Sequence, residues 1–151
     1  MKRLRDKVLV ERPSAEAQSR LGEHFRALRD ASGAARLHLR VPVKGMMGGL
    51  GLALDREVDI EAQQTRDDDN LNDVIRIRWN AEGNAAFPQF HGVLTVWGED
   101  DPRSSYIELD GEYKPPLGVA GEAFDEVLGH QMAQATAREL LDDLKRAIER
   151  D

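Results

Sequence analysis

Apolar and polar positions alternate over residues 36–43, with Leu37, Leu39, Val41 and Val43 set against Arg36, His38 and Arg40. Successive strand side chains point to opposite faces, so a period of two predicts a half-buried strand. Pro42 suits a sheet edge, where a missing N–H removes no ladder bond. Leu54–Gln64 repeats the pattern, with Leu54, Arg56, Val58, Ile60 and Ala62 on one face and Asp55, Glu57, Asp59, Glu61 and Gln63 on the other. Val74–Asn80 sets Ile75, Ile77 and Trp79 against Arg76 and Arg78, and Tyr106–Tyr113 sets Ile107, Leu109, Gly111 and Tyr113 against Glu108, Asp110 and Glu112. Phe87–Trp97 is apolar on both sides, Phe90, Leu94 and Val96 facing away from Val93 and Trp97. A short apolar run, Lys7–Glu11, predicts one more strand at the start of the chain. Polar or glycine-bearing turns separate the later strands, and turns of hairpin length imply antiparallel pairing. One wet and one dry face on most strands predicts a single sheet covered on one side.

Two segments follow the helical period instead. Ala17, Leu21, Phe25 and Leu28 share a face after Pro13-Ser14. Ser14 is the expected N-cap, Gly22 is placed to split the segment into two short helices, and Ser32-Gly33 is the stop. After Pro115-Pro116 no proline follows, and good helix formers dominate to the end of the chain. There Phe124, Leu128, Met132, Thr136, Leu140, Leu144 and Ile148 form a row at i, i+4 spacing. Such a row drifts about 40° around the axis per step. Its apolar face therefore winds, which fits a helix crossing a curved sheet or one bent at Gly129, and predicts roughly 28 residues of helix, about 42 Å long, docked across a concave surface. A long sheet curled around one helix can leave space between the two layers.

Composition narrows the function classes. The 151 residues fit one domain, residues 1–151, with 40% apolar and 32% charged side chains. The net charge of −7 argues against phosphate-backbone binding, which needs clustered Lys and Arg, so no nucleic acid is expected. There is no cysteine, hence no disulfide framework or thiolate site. No apolar run approaches about 20 residues, so no membrane span is expected, and the missing signal pattern leads to the expectation of a cytoplasmic location.

Several side chains are candidates for chemistry. The loop Gly45–Gly51 lacks the Gly-Lys-Ser/Thr of a phosphate loop and is followed by a strand rather than a helix. It is either a flexible connection or a lid built from Met46, Met47 and Leu50, whose adaptable side chains suit apolar contact. Arg56 sits on an otherwise apolar strand face and needs a partner, a rim carboxylate or a ligand's carboxylate or enolate. His91 is a structural or surface residue or a ligand contact, its strand being apolar on both sides. Trp79, Tyr113, Leu128 and Met132 pack the core or line the space under the helix, and a buried Tyr113 phenol requires a hydrogen-bond partner. The acidic run Asp67–Asp73 lacks the glycine and glutamate of a calcium loop, and the four histidines show no ligand spacing, so neither metal nor cofactor is expected.

The element order resembles the helix-grip fold of the START/Bet v 1-like superfamily, also known as SRPBCC or polyketide cyclase/dehydrase and lipid-transport proteins. The residues that carry the likeness are Leu109-Asp-Gly-Glu-Tyr-Lys-Pro-Pro-Leu-Gly118, a last strand running through a Gly/Pro turn into the long helix, and Val8–Glu16, a first strand running into a first helix. The resemblance implies an α+β fold: one curved antiparallel sheet of about six strands wrapped around a long C-terminal helix, with one or two short helices after strand 1. It also implies an elongated apolar cavity. The leading expectation is binding or carriage of a small hydrophobic molecule, lipid, isoprenoid or polyketide-like. The alternatives are a cyclase/dehydratase-type enzyme using Arg56, His91 or Tyr113 to hold and protonate an enolised substrate, and a regulatory or assembly protein whose cavity its own side chains fill. Fold alone does not choose among them.

Overall fold

The alternating segments form the strands β1 (Lys2–Val10), β2 (Ala35–Val43), β3 (Leu54–Asp67), β4 (Asn72–Asn80), β5 (Gln89–Gly98) and β6 (Ser105–Lys114), and the helical segments form α1 (Ser14–Ala27) and α2 (Glu122–Glu149). This computed structural model describes residues 2–43, 54–67, 72–80, 89–114 and 122–150, with side chains described throughout except at 40–43, 54–57, 65–67, 72–73, 80 and 122–129. All strands pair antiparallel in one six-stranded sheet of order β1-β6-β5-β4-β3-β2. Pro42 thus lies in an edge strand, β2.

Three local expectations need correction. β1 begins at Lys2, not Lys7. Its early residues escaped the apolar pattern because Arg3 and Arg5 point outward, pairing with Asp110 at 3.0 Å and Glu108 at 3.1 Å. On the other face Leu4, Val8 and Val10 are buried, while Asp6 interrupts them to meet Arg138 of α2 at 2.6 Å. Gly22 does not split α1. It lets the helix lie close to β3, where Gln64 Nε2 donates to the Gly22 carbonyl at 3.2 Å. Finally, Pro13 rather than Ser14 occupies the cap position, with no side-chain cap, and its carbonyl accepts from Ala17 N–H at 2.8 Å. The chain then turns at Gly33, whose φ of +85° suits glycine, toward β2. Asp30 fixes this turn by accepting from Ser32 O–H and N–H and from Arg36, which hold its carboxyl down at about 2.

Helix α2 is buried along the expected winding row from Met132 through Thr136, Leu140 and Leu144 to Ile148, joined by Ala133, Ala137 and Leu141. A row that drifts around the axis yet stays buried must be enclosed from changing directions. The sheet does this by curling: among the described residues α2 packs against both edge strands, β1 and β2, and against β6, with α1 alongside. Its last carbonyls are satisfied from α1 and the preceding turn. Arg20 donates to Ile148 O at 2.9 Å and Arg150 O at 2.7 Å, and Arg12 to Glu149 O at 2.7 Å. Cations suit this negative end of the helix dipole.

Leu140 is fully buried at the centre of this contact. Leu140→Ala is expected to lower unfolding free energy in urea by about 2–5 kcal/mol; a loss below about 1 kcal/mol would show that the helix is not part of the common core. A second expectation concerns pH. Among the described residues His24 of α1 keeps Nε2 buried without a hydrogen-bond partner, and burial lowers its pKa, with Asp143 opposing and Arg150 reinforcing. A depressed histidine stabilises the fold in full above the unfolded value of about 6.5 and less as pH falls through the folded value. Urea midpoints measured between pH 8 and 5 (about the range of histidine titration) should therefore decline, and His24→Gln should flatten that decline. An unchanged slope in the variant would assign it to other groups.

Candidate functional site

Strand register places large inward side chains in one row across the sheet. Leu37 opposes Ile60, Ile60 opposes Trp79, Trp79 opposes Phe90, and Phe90 opposes Tyr113. The adjacent inward row is small by comparison: Ala35, Ala62, Ile77, Gly92, Gly111 and Leu4. Strand side chains lean along the strand, so large residues can fold over small neighbours two positions away. Phe90 does so. A Cβ built on Gly92 would lie 2.6 Å from Phe90 Cζ, and one built on Gly111 2.7 Å from it. The same two positions are closed by backbone, Asp110 O at 2.6 Å and His91 O at 2.3 Å. Only glycine fits both places. Trp79 then stacks on Phe90, centroids 4.0 Å apart and planes within 15°.

Two polar atoms interrupt this apolar row. Trp79 is buried, and among the described residues its Nε1–H has no hydrogen-bond partner. Tyr113 is buried, with its hydroxyl 3.1 Å from Nδ1 of His130, an exposed residue of α2. With the imidazole protonated on Nε2, the phenol donates to Nδ1. The arrangement offers a flat aromatic wall, one donor without a partner among the described residues, and one phenol joined to the ring of an exposed histidine. Met132 is buried in the same contiguous apolar cluster as Trp79, Phe90 and Tyr113.

The sequence-predicted residues thus divide. Trp79, Tyr113 and Met132 are all buried in the common core, and Trp79 and Tyr113 both flank Phe90 across the strands. His91 does not join them: Phe90 and Leu94 take the inward places on β5, which forces His91 outward, exposed and 4.0 Å from Glu112. Of its two expected readings, the surface one describes where it stands; a ligand contact in the space under the helix does not fit that direction. Arg56 and Leu128 lie on β3 and α2, where their side chains are outside the described residues. Met46, Met47 and Leu50, the lid residues, lie outside the described residues altogether. Sequence reading passed over Phe90, His130 and the Gly92–Gly111 pair as site residues. The two glycines carried a signal, each interrupting an inward strand face, but their opposition needed the β5–β6 register.

No helix among the described residues is long and apolar enough to cross a membrane, and no group of His, Asp or Glu among them could hold a metal ion. No family model and no curated protein matches the chain. Solved structures do. A protein from Thermus thermophilus aligns over 97% of this chain and 96% of its own, at 13% identity and TM-score 0.56. The Zhui aromatase/cyclase from a Streptomyces species aligns over 97% of this chain and 91% of its own, at 13% identity and TM-score 0.52. Norcoclaurine synthase from Thalictrum flavum aligns over 99% of this chain and 87% of its own, at 10% identity and TM-score 0.52. At these identities the likeness is one of fold: a curved six-stranded antiparallel sheet with a long C-terminal helix, the expected helix-grip arrangement.

In this helix-grip the described backbone of α2 packs chiefly at the two edges and β6. The aromatic row occupies the central strands β4 and β5 and continues onto β6. Bulky rings suit the place where a curled sheet stands furthest from its helix. Seating Phe90 on glycine is what lets Trp79 lie parallel to it. Gly92→Ala is expected to displace the Phe90 ring and cost about 1–3 kcal/mol in urea melts. In a Trp97→Phe background, where Trp79 is the remaining tryptophan, it should also shift the emission maximum. An unaltered spectrum and midpoint would show that the seat is not tight.

Proposed function

We propose that the protein binds a small, largely apolar, planar molecule bearing an oxygen acceptor, between the sheet and α2. The observation that carries this is the buried Trp79 Nε1–H, unpartnered among the described residues, beside the stacked Phe90 ring. A buried donor left unmade costs about 1–3 kcal/mol, and a ligand carbonyl or hydroxyl oxygen would recover it. Phe90 and Trp79 supply a flat apolar surface, and the Tyr113 hydroxyl a second polar point at the far end of the row. On this reading the chain is a binder or carrier, with Met132 in the wall. Arg56 and Leu128, and Met46, Met47 and Leu50 as a lid, remain part of the proposal from sequence.

One observation favours a second reading, an enzyme of the cyclase or dehydratase kind. Tyr113 is hydrogen-bonded to His130, and His130 is exposed. A phenol so placed can donate a proton to an enolised substrate and be reprotonated from solvent through the imidazole.

Native mass spectrometry of freshly purified protein should reveal a co-purified small molecule. In the Trp97→Phe background, 2-naphthol should quench Trp79 emission saturably. Tyr113→Phe should weaken that binding about fivefold, the worth of one hydrogen bond, with little change in melting temperature. The absence of both a retained mass and saturable quenching would leave a core filled by its own side chains, and the binding reading would fall.

A further inference from the structure

The outward face of the sheet carries charges in a cross-strand row: Arg36, Glu61, Arg78, His91, Glu112 and Arg3 in register order. Most described arginines of this face are neutralised. Arg3 meets Asp110 at 3.0 Å, Arg5 meets Glu108 at 3.1 Å, and Arg36 meets Asp30 at 3.0 Å. Arg76 and Arg78 differ. Both stand exposed on β4, and among the described residues neither reaches a carboxylate within 4.0 Å or makes a side-chain hydrogen bond. Arg78 faces Glu61 in register, yet Glu61 is engaged by Gln63 Nε2 at 3.2 Å instead. In a chain of net charge −7, two adjacent guanidiniums of this kind are a local reversal of sign.

They also line a depression. Arg76, Arg78, Glu61, Gln63, His91 and Val93 surround a hollow of about 230 Å³ over β3, β4 and β5. The arginines are two residues apart on one strand, about 7 Å between Cα atoms, within reach of one bound group. A carboxylate satisfies a single guanidinium fork and a single charge. A phosphate dianion offers three terminal oxygens and two charges, enough for both forks. His91 adds a ring nitrogen at the rim. Glu61 disfavours an anion but accepts from hydroxyl groups. We propose that this depression is a binding site for a hydroxyl-bearing phosphomonoester, with Arg76 and Arg78 holding the phosphate and Glu61 and Gln63 facing the organic part. The site lies on the opposite face of the sheet from Trp79 and Tyr113 and does not depend on what they bind.

The test is amide NMR titration of the whole chain with inorganic phosphate, ribose 5-phosphate and acetate at matched ionic strength. The expected result is saturable shifts confined to β3–β5, tightest for ribose 5-phosphate and absent for acetate. Arg76→Gln and Arg78→Gln should each weaken phosphate binding about tenfold, as loss of a charge-assisted pair does, and Arg103→Gln, on the β5–β6 turn, should not. Glu61→Gln should tighten inorganic phosphate and weaken the preference for the sugar phosphate. All four positions are exposed or partly so, and unchanged melting temperatures would establish that the variants fold. Linear shifts without saturation, an equal response to acetate, or unaltered affinity in both arginine variants would overturn the proposal.

Discussion

Helix α2 has to satisfy both edges of one sheet. β1 and β2 are the outermost strands and do not pair with each other, yet both pack on the same helix. A flat sheet could not bring them there, so curvature and helix burial are one constraint. The polar contacts fix the helix on the β1 side. Arg138 donates to Asp6 at 2.6 Å and to Lys7 O at 3.0 Å, and Lys145 donates to Leu9 O at 2.9 Å while also holding Glu149. With the C-terminal half of α2 fixed in this way, the volume over the central strands must be filled by side chains or by something bound.

The two faces of the sheet divide the chemistry. Inward, β5 and β6 approach so closely at Gly92 and Gly111 that neither position accommodates a Cβ, and that gap seats Phe90. Outward, the same strands carry His91, Glu112 and Asp110 in a solvated charge lattice. A one-residue slip of register would exchange these faces. The glycine pair therefore also pins the register, because it can be opposed only where both strands lack a side chain.

Much of this was legible in the sequence. The period-two segments marked the strand faces, and the winding row from Met132 to Ile148 foretold an enclosing sheet. What failed did so for identifiable reasons. Arg3, Arg5 and Asp6 disguised the first half of β1, since their partners are residues more than 100 positions away. Gly22 read as a helix breaker because its use, close approach to Gln64, is tertiary. His91 was undecided because β5 is apolar on both sides, and only the burial of Phe90 and Leu94 sets its direction. Tyr113 was expected to need a partner, but His130 could not be named, as the pairing joins a strand end to a helix across an intervening segment.

Packing alone accounts for the rings of the inner row but not for their polar atoms. A phenylalanine at position 79 would stack on Phe90 without burying an unmet donor, whereas the indole leaves Nε1–H orphaned among the described residues. Tyr113 is different, because its hydroxyl has His130. Among the described residues, one polar atom of the row is thus committed and the other is not. The two atoms therefore differ in what they leave open: the indole N–H meets no acceptor among the described residues, whereas the phenol is already tied to a helix side chain. That tie also links the inside of the sheet to its surroundings, because Tyr113 is buried while His130, on α2, is exposed to water.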